Sequence, residues 1–139
     1  MYIEWKDDYC IGIGRIDDQH RKLIGYLNAL YKTVSGGAPV SQSWELLDAF
    51  NRYAEEHFSS EERIAFDAGI PSAELENHKA EHEAYRIRLK GFQQAYMNKD
   101  KMVPVQLMAF LSKWWLSNIL VKDMELGRLI HDQEAKQHG

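Results

Sequence analysis

Two pairs of potential metal donors each stand four residues apart in one stretch of the chain: His57 with Glu61, then His78 with His82. Side chains at that spacing leave an α-helix from the same face. Here the shared face is the apolar one. Leu46, Phe50, Tyr53 and Ala54 lead down a stripe into His57 and Glu61, which goes on through Ile64 and Ala68. Leu75 leads into His78 and His82, and that stripe continues through Tyr85, Leu89, Phe92 and Tyr96. Imidazoles and carboxylates in such seams lose their water when the helices meet. A buried polar group without a partner costs roughly 2–7 kcal/mol. A bound metal ion satisfies both donor types at once.

The elements that position these residues follow from caps and periodicity. Residues 1 to about 16 lack a helical period and read as an extended N-terminal arm, anchored by Tyr2, Trp5, Tyr9, Ile11 and Ile13. Cys10 within it reads as a packed small residue rather than a reactive thiol. Asp17 or Asp18 can cap a first helix that runs to about Val34 and stops at Gly36 and Gly37. His20 sits in its apolar stripe with Ile16, Leu23, Ile24, Leu27, Leu30, Tyr31 and Val34. Ser41 or Ser43 opens a second helix that Gly69 closes, and Ser72 caps a third that runs to about Met97. A polar loop from Asn98 to Val103 precedes Pro104, a favoured first-turn residue of the fourth helix. The fourth seam carries Leu107, Leu111, Trp114 and Asn118, with Trp115, Ile119 and Asp123 beside it. Gly127 predicts a break, followed by a charged C-terminal tail over 128–139. Four amphipathic segments with short connections predict an all-α fold, an antiparallel up-down four-helix bundle over 17–127, in a single domain spanning 1–139.

Any one histidine pair is weak evidence, but every helix places a nitrogen or oxygen donor inside its apolar stripe. His20, His57, His78 and His82 supply four imidazoles, and Glu61 and Asp123 supply two carboxylates. That set is too large for a closed tetrahedral zinc site, and no cysteine joins it. Imidazole with bridging carboxylate suits two first-row metal ions. No Glu-x-x-His occurs, so the ferritin-like di-iron pattern is not met. The zinc-protease signature His-Glu-x-x-His is missing too. His131 and His138 lie outside the stripes and read as surface residues. Protons compete for these ligands, which predicts metal loss as pH falls toward about 6, the range of an unperturbed histidine.

Composition narrows the partners. The 139 residues carry a net charge of −4, which argues against nucleic acid and anionic membrane. No apolar run approaches the roughly 20 residues of a membrane span. The first residues lack the pattern of a secretory signal, and a single cysteine permits no internal disulfide. The expected location is the cytoplasm.

The chain resembles the bacterial hemerythrins over nearly its whole length. The likeness rests on Trp5 with Gly12 and Ile13, on Ile16-Asp17-Asp18-Gln19-His20, and on His57-Phe58 with Glu61-Glu62. It continues through His78-Lys-Ala-Glu-His82 and Trp114 to Asp123 with Leu126 and Gly127. That resemblance implies a di-iron four-helix bundle without haem that binds dioxygen. One iron would take His20 and His57 and keep an open position for dioxygen. The other would take His78 and His82, with Glu61, Asp123 and an oxo or hydroxo group bridging the pair.

Two positions depart from the family pattern. A histidine five residues before the last aspartate would be the second iron's third imidazole; here that residue is Asn118. Its neutral amide oxygen is a poorer donor. Asn118 coordinates weakly, water takes the position, or the second metal is not held. His131, 13 residues along a straight helix at about 1.5 Å each, is roughly 20 Å too far to substitute. Trp115 stands where the family has a smaller aliphatic residue, and either narrows ligand access or fills the room that Asn118 leaves. The leading expectation is a non-enzymatic protein that binds dioxygen reversibly, for storage, delivery or sensing. The alternatives are a di-iron redox enzyme acting on peroxide or nitric oxide, and a degenerate interaction module with altered metal content.

Overall fold

The computed structural model describes the backbone of residues 2–37, 40–97 and 103–138, and the side chains of 2–37, 41–95 and 104–137. A 3-10 turn at Asp7–Tyr9 interrupts the N-terminal arm, and helices α1 (Gly14–Ser35), α2 (Val40–Ala68) and α3 (Ser72–Met97) follow. The fourth arm is one continuous rod: α4 (Val103–Ser117), a π-helical turn (Asn118–Asp123) and α5 (Met124–His138). No strand occurs among the described residues. The expected all-α four-helix bundle is the fold observed. Helix α1 packs on α2 and α4, α2 on α3 and α5, and α3 on α4.

The main core lies toward one end of the bundle. Leu23, Leu27, Leu47, Phe50, Phe58, Leu111, Trp115 and Ile119 are buried there together. A smaller cluster of Ala65, Ile70, Leu75, Leu126 and Ile130 closes the other end. The amphipathic stripes predict these faces, with one exchange. Trp115 rather than Trp114 is fully buried, and Trp114 is half-exposed. The expected loop from Asn98 lies outside the described residues up to position 102, and Val103 already belongs to α4.

Several boundaries differ from the sequence expectation. Helix α1 starts at Gly14, and its cap position, Ile13, offers no side-chain hydrogen bond. Asp17 lies inside the first turn and reaches backward instead. Its Oδ1 accepts the Ile11 amide at 2.7 Å and its Oδ2 accepts the Gly12 amide at 3.2 Å. An extended arm has no ladder partners for its backbone, and this buried carboxylate supplies them. Asp18 is exposed and pairs with Arg21. Helix α2 begins before Ser41 and Ser43, and α3 begins at Ser72 itself, with Pro71 O accepting the Glu74 and Leu75 amides.

Gly127 breaks nothing: α5 runs through it to His138, so the expected tail is helical. Its small size serves contact. A Cβ at Gly127 would stand 2.9 Å from Ile11 Cβ, so the arm lies directly on the helix. His131, expected to be an ordinary surface residue, donates from Nε2 to the Ile11 carbonyl at 2.9 Å. Gly12, at φ +81°, turns the chain beneath that ring; a Cβ there would meet His131 Nε2 at 2.9 Å. Near the start of the arm, Ile3 and Asn28 exchange two hydrogen bonds of 2.7 and 2.8 Å. Ile3 and Ile11 are the buried anchors, whereas Tyr2 stacks on Tyr31 at the surface. Gly127→Ala should therefore overpack the arm junction and cost about 1–3 kcal/mol. Urea unfolding checks this, and an unchanged midpoint would mean that the arm lifts away freely.

Candidate metal centre

Helices α1, α2, α3 and the π turn each bring ligand-type side chains to one buried point between the two core clusters. His20 (α1), His57 and Glu61 (α2) and Asp123 (π turn) offer one ligand atom each, all within 4.8 Å of one another. Glu61, His78 and His82 form a second such group. Glu61 belongs to both. All six residues expected from the sequence thus meet at one centre.

The distances show how. Asp123 Oδ2 lies 2.8 Å from His20 Nε2 and 3.4 Å from His57 Nε2. Glu61 Oε2 faces His57 Nε2 at 3.3 Å, while its Oε1 faces His78 Nδ1 and His82 Nε2, each at 3.5 Å. The spacing of four residues accounts for the pairs on α2 and α3. The spacing of five between Asn118 and Asp123 does not fit an α-helix, where it leaves two side chains about 140° apart. The π turn resolves this, since i→i+5 bonding takes more residues per turn and returns both to one face. Asn118 and Asp123 are accordingly both buried.

Two imidazoles are fixed from behind. His57 donates from Nδ1 to Gln19 Oε1 at 2.9 Å, and Gln19 in turn donates to Ser60 Oγ. His82 donates from Nδ1 to Glu62 Oε2 at 2.7 Å. In the neutral rings, both bonds would leave Nε2 free to bind metal, aimed at the carboxylates, the arrangement that orients metal-bound histidines. Phe58 stacks on the His82 ring, with centroids 3.9 Å apart. Gln19 and Glu62 each adjoin a donor in sequence, but nothing in their spacing marks these roles.

The electrostatics of the metal-free chain are those of buried carboxylates that imidazolium groups neutralise. Burial alone would lower the His57 pKa, but the Asp123 and Glu61 carboxylates facing its ring outweigh it and raise it to about 9. His78 is likewise raised, its bond and proximity to Glu61 overcoming desolvation. Glu61 is held well below the usual carboxylate range by three imidazoles, against the effect of its burial. Asp123 is raised, first by burial and then by the charge of Glu61.

The donors fit a metal pair. Both Glu61 oxygens, Asp123 Oδ1, His82 Nε2, His20 Nδ1 and Asn118 Oδ1 are buried without a hydrogen-bond partner. Buried polar atoms are rarely left so. Oxygen and imidazole-nitrogen donors without thiolate are the set for iron or manganese rather than a closed structural zinc.

Comparison with known proteins agrees with this chemistry. Residues 11–130 match the family model of the Hemerythrin HHE cation binding domain. The chain belongs to the hemerythrin family. Among hemerythrins, it is similar to the bacteriohemerythrin of Clostridium acetobutylicum, at 32% identity over 87% of this chain and 95% of that protein. The bacteriohemerythrin of Stenotrophomonas maltophilia is 30% identical over 96% of this chain and 87% of its own length. A hemerythrin-like protein of Naegleria gruberi is 26% identical over 87% of both. Hemerythrins are proteins of the non-haem-iron, oxygen-binding type. No described helix of this one is long and apolar enough to cross a membrane.

In this hemerythrin Trp115 is wholly buried. Its Nε1 donates to Tyr85 Oη at 3.2 Å, and its ring stacks on Phe58 at 5.4 Å and lies 6.0 Å from His57. It is a packed wall of the centre. Burial pushes the Tyr85 phenol pKa up, so its hydroxyl stays protonated as Trp115's partner.

Proposed function

We propose that this chain holds two non-haem iron ions, bridged by Glu61 and Asp123 with an oxo or hydroxo group, and binds dioxygen reversibly without catalysing a reaction. The observation that carries the reading is a pair of buried donor groups that share Glu61. Iron, when bound, supplies the redox-active centre that takes up dioxygen. The chain's own part is to orient and to exclude. Gln19 and Glu62 fix the His57 and His82 tautomers, so that each ring presents a lone pair. Trp115, Phe58 and Tyr85 set buried rings around the centre, with Phe58 stacked on His82 and Trp115 6.0 Å from His57. Its ligand in this reading is a small diatomic molecule, taken up for storage, delivery or sensing in the cytoplasm.

Oxygen cycling tests the reading. The aerobically purified protein should carry two irons and a visible charge-transfer band that fades on deoxygenation and returns on re-aeration. Asn118 favours a second reading, a redox enzyme acting on peroxide or nitric oxide, because one histidine fewer leaves more metal positions open to exchange. A band lost irreversibly in the first cycle supports that enzyme. One metal ion or none supports an interaction module.

A further inference from the structure

Helix α4 carries no acidic residue, and the acidic residues of α3 all precede Tyr85. Beyond that point a surface groove of about 710 Å³ runs between the two helices, within the size range of small-molecule sites. Its apolar lining is aromatic: Phe92 from α3, with Phe110 and Trp114 from α4. These rings are held from behind. Trp114 packs on Tyr85 with centroids 4.4 Å apart and meets Trp115 edge-on at 4.9 Å, and both of those residues are buried. Phe110 stacks on Tyr85 at 5.8 Å and lies 5.3 Å from Phe92. A half-buried indole fixed in this way is a ready stacking surface, because little has to be ordered when a ligand arrives.

The charged lining is wholly cationic. Arg88 and Lys113 are exposed, and neither pairs with a carboxylate among the described residues. Arg86, two positions earlier, is by contrast held by Glu55 and Glu83. The Arg88 guanidinium lies over the Phe110 ring, 5.1 Å from its centroid, which keeps its charge at the groove. In a chain of net charge −4, an aromatic floor rimmed only by cations complements a flat anion. A second copy of this chain suits the groove less, since a two-fold contact here would set like charges against each other.

We propose that the α3–α4 groove binds a planar aromatic anion, in the simplest case a fused-ring carboxylate. Its rings lie on Trp114 beside Phe92 and Phe110, and its carboxylate faces Arg88 and Lys113. The site needs no metal and stands apart from the metal centre, with Tyr85 and Trp115 packed behind Trp114.

Calorimetric titration of the full chain with three probes tests this: 2-naphthoate, the neutral naphthalene-2-carboxamide, and octanoate, an anion without a ring. One 2-naphthoate should bind per chain, about tenfold more tightly than either of the others, the scale expected for hydrogen bonds to a charged group. Arg88→Gln combined with Lys113→Gln changes only exposed side chains, so the fold should persist, as a melting curve checks. That variant should bind 2-naphthoate about tenfold more weakly and the carboxamide as before. Equal affinity for 2-naphthoate and the carboxamide would overturn the proposal by showing an apolar patch without charge selection. Equal affinity for octanoate would overturn the planar ligand, and unchanged 2-naphthoate binding in the folded variant would place the site elsewhere. A chain that sediments as a dimer and takes up no 2-naphthoate would also overturn it, with a second copy as the occupant.

Discussion

Glu61→Ala is expected to empty both halves of the centre, with the largest loss of any single substitution in the chain. Glu61 is fully buried and is the one residue common to both donor groups. Its two oxygens face three imidazoles on two helices at 3.3–3.5 Å, and neither has a hydrogen bond of its own. Removing it takes the bridging carboxylate from both ions and leaves imidazoles facing one another across a cavity. Metal that binds only the folded chain stabilises it by about 2.7 kcal/mol even at a hundred times its dissociation constant. Iron content should fall from two per chain to less than one, with the melting temperature falling alongside it. His57→Ala and His78→Ala each strike one half, so each should lose less. Two irons retained in Glu61→Ala, with an unchanged melting temperature, would mean that the carboxylate is only a core ion-pair partner.

A second large effect is expected from pH, with opposite signs for the loaded and the metal-free protein. Without metal, His57 has a folded pKa of about 9 against 6.5 for the free side chain, because Asp123 and Glu61 hold its proton despite burial. A raised pKa contributes stability in full below the unfolded value, about 6.5, and loses it as pH climbs through 9. Its size is on the order of 3 kcal/mol. Asp123 acts in the same direction: its raised pKa makes the ionised form costly, a strain that eases on acidification. Glu61, depressed by its imidazoles, stabilises above the ordinary carboxylate range and sets the acid limit. The metal-free chain should therefore be most stable on the acid side of neutrality and weaken toward pH 9. Metal must displace the His57 proton, so affinity should rise about tenfold per pH unit up to about 9 for that group alone. The unperturbed histidine pKa predicts metal loss near pH 6, and the carboxylates move its onset to higher pH. Melting curves from pH 5 to 9, with and without chelator, should diverge as pH rises. Parallel curves would contradict this linkage.

The same residues show what a sequence can disclose of such a site. His57 with Glu61 and His78 with His82 were legible because a spacing of four is the α-helical repeat and their neighbours are apolar. Asp123 was legible as a carboxylate beside the fourth seam, but the π turn that aims it inward was not. Periodicity arguments assume 3.6 residues per turn, and a local widening shifts every later residue to another face. The arm was expected to be extended to about residue 16, but it carries a 3-10 turn at Asp7–Tyr9 and gives way to α1 at Gly14, and its fastening was hidden. Asp17 looked like a helix cap, and His131, exposed as expected, gave no sign of its bond to the arm, because the contacts that define them join the arm to helices up to 120 positions away. Gly127 carries the same lesson. A glycine in a helix can mark an end or a close crossing, and only the position of Ile11 decides between them.

Anomalous diffraction at the iron edge, from crystals of protein purified with its own metal, tests the central claim most directly. Two peaks per chain are predicted, about 3.5–4 Å apart as in other two-metal sites. One should lie against His20 and His57 and the other against His78 and His82, with Glu61 between them. A single peak, or none within reach of Glu61, would contradict a two-iron centre in this fold.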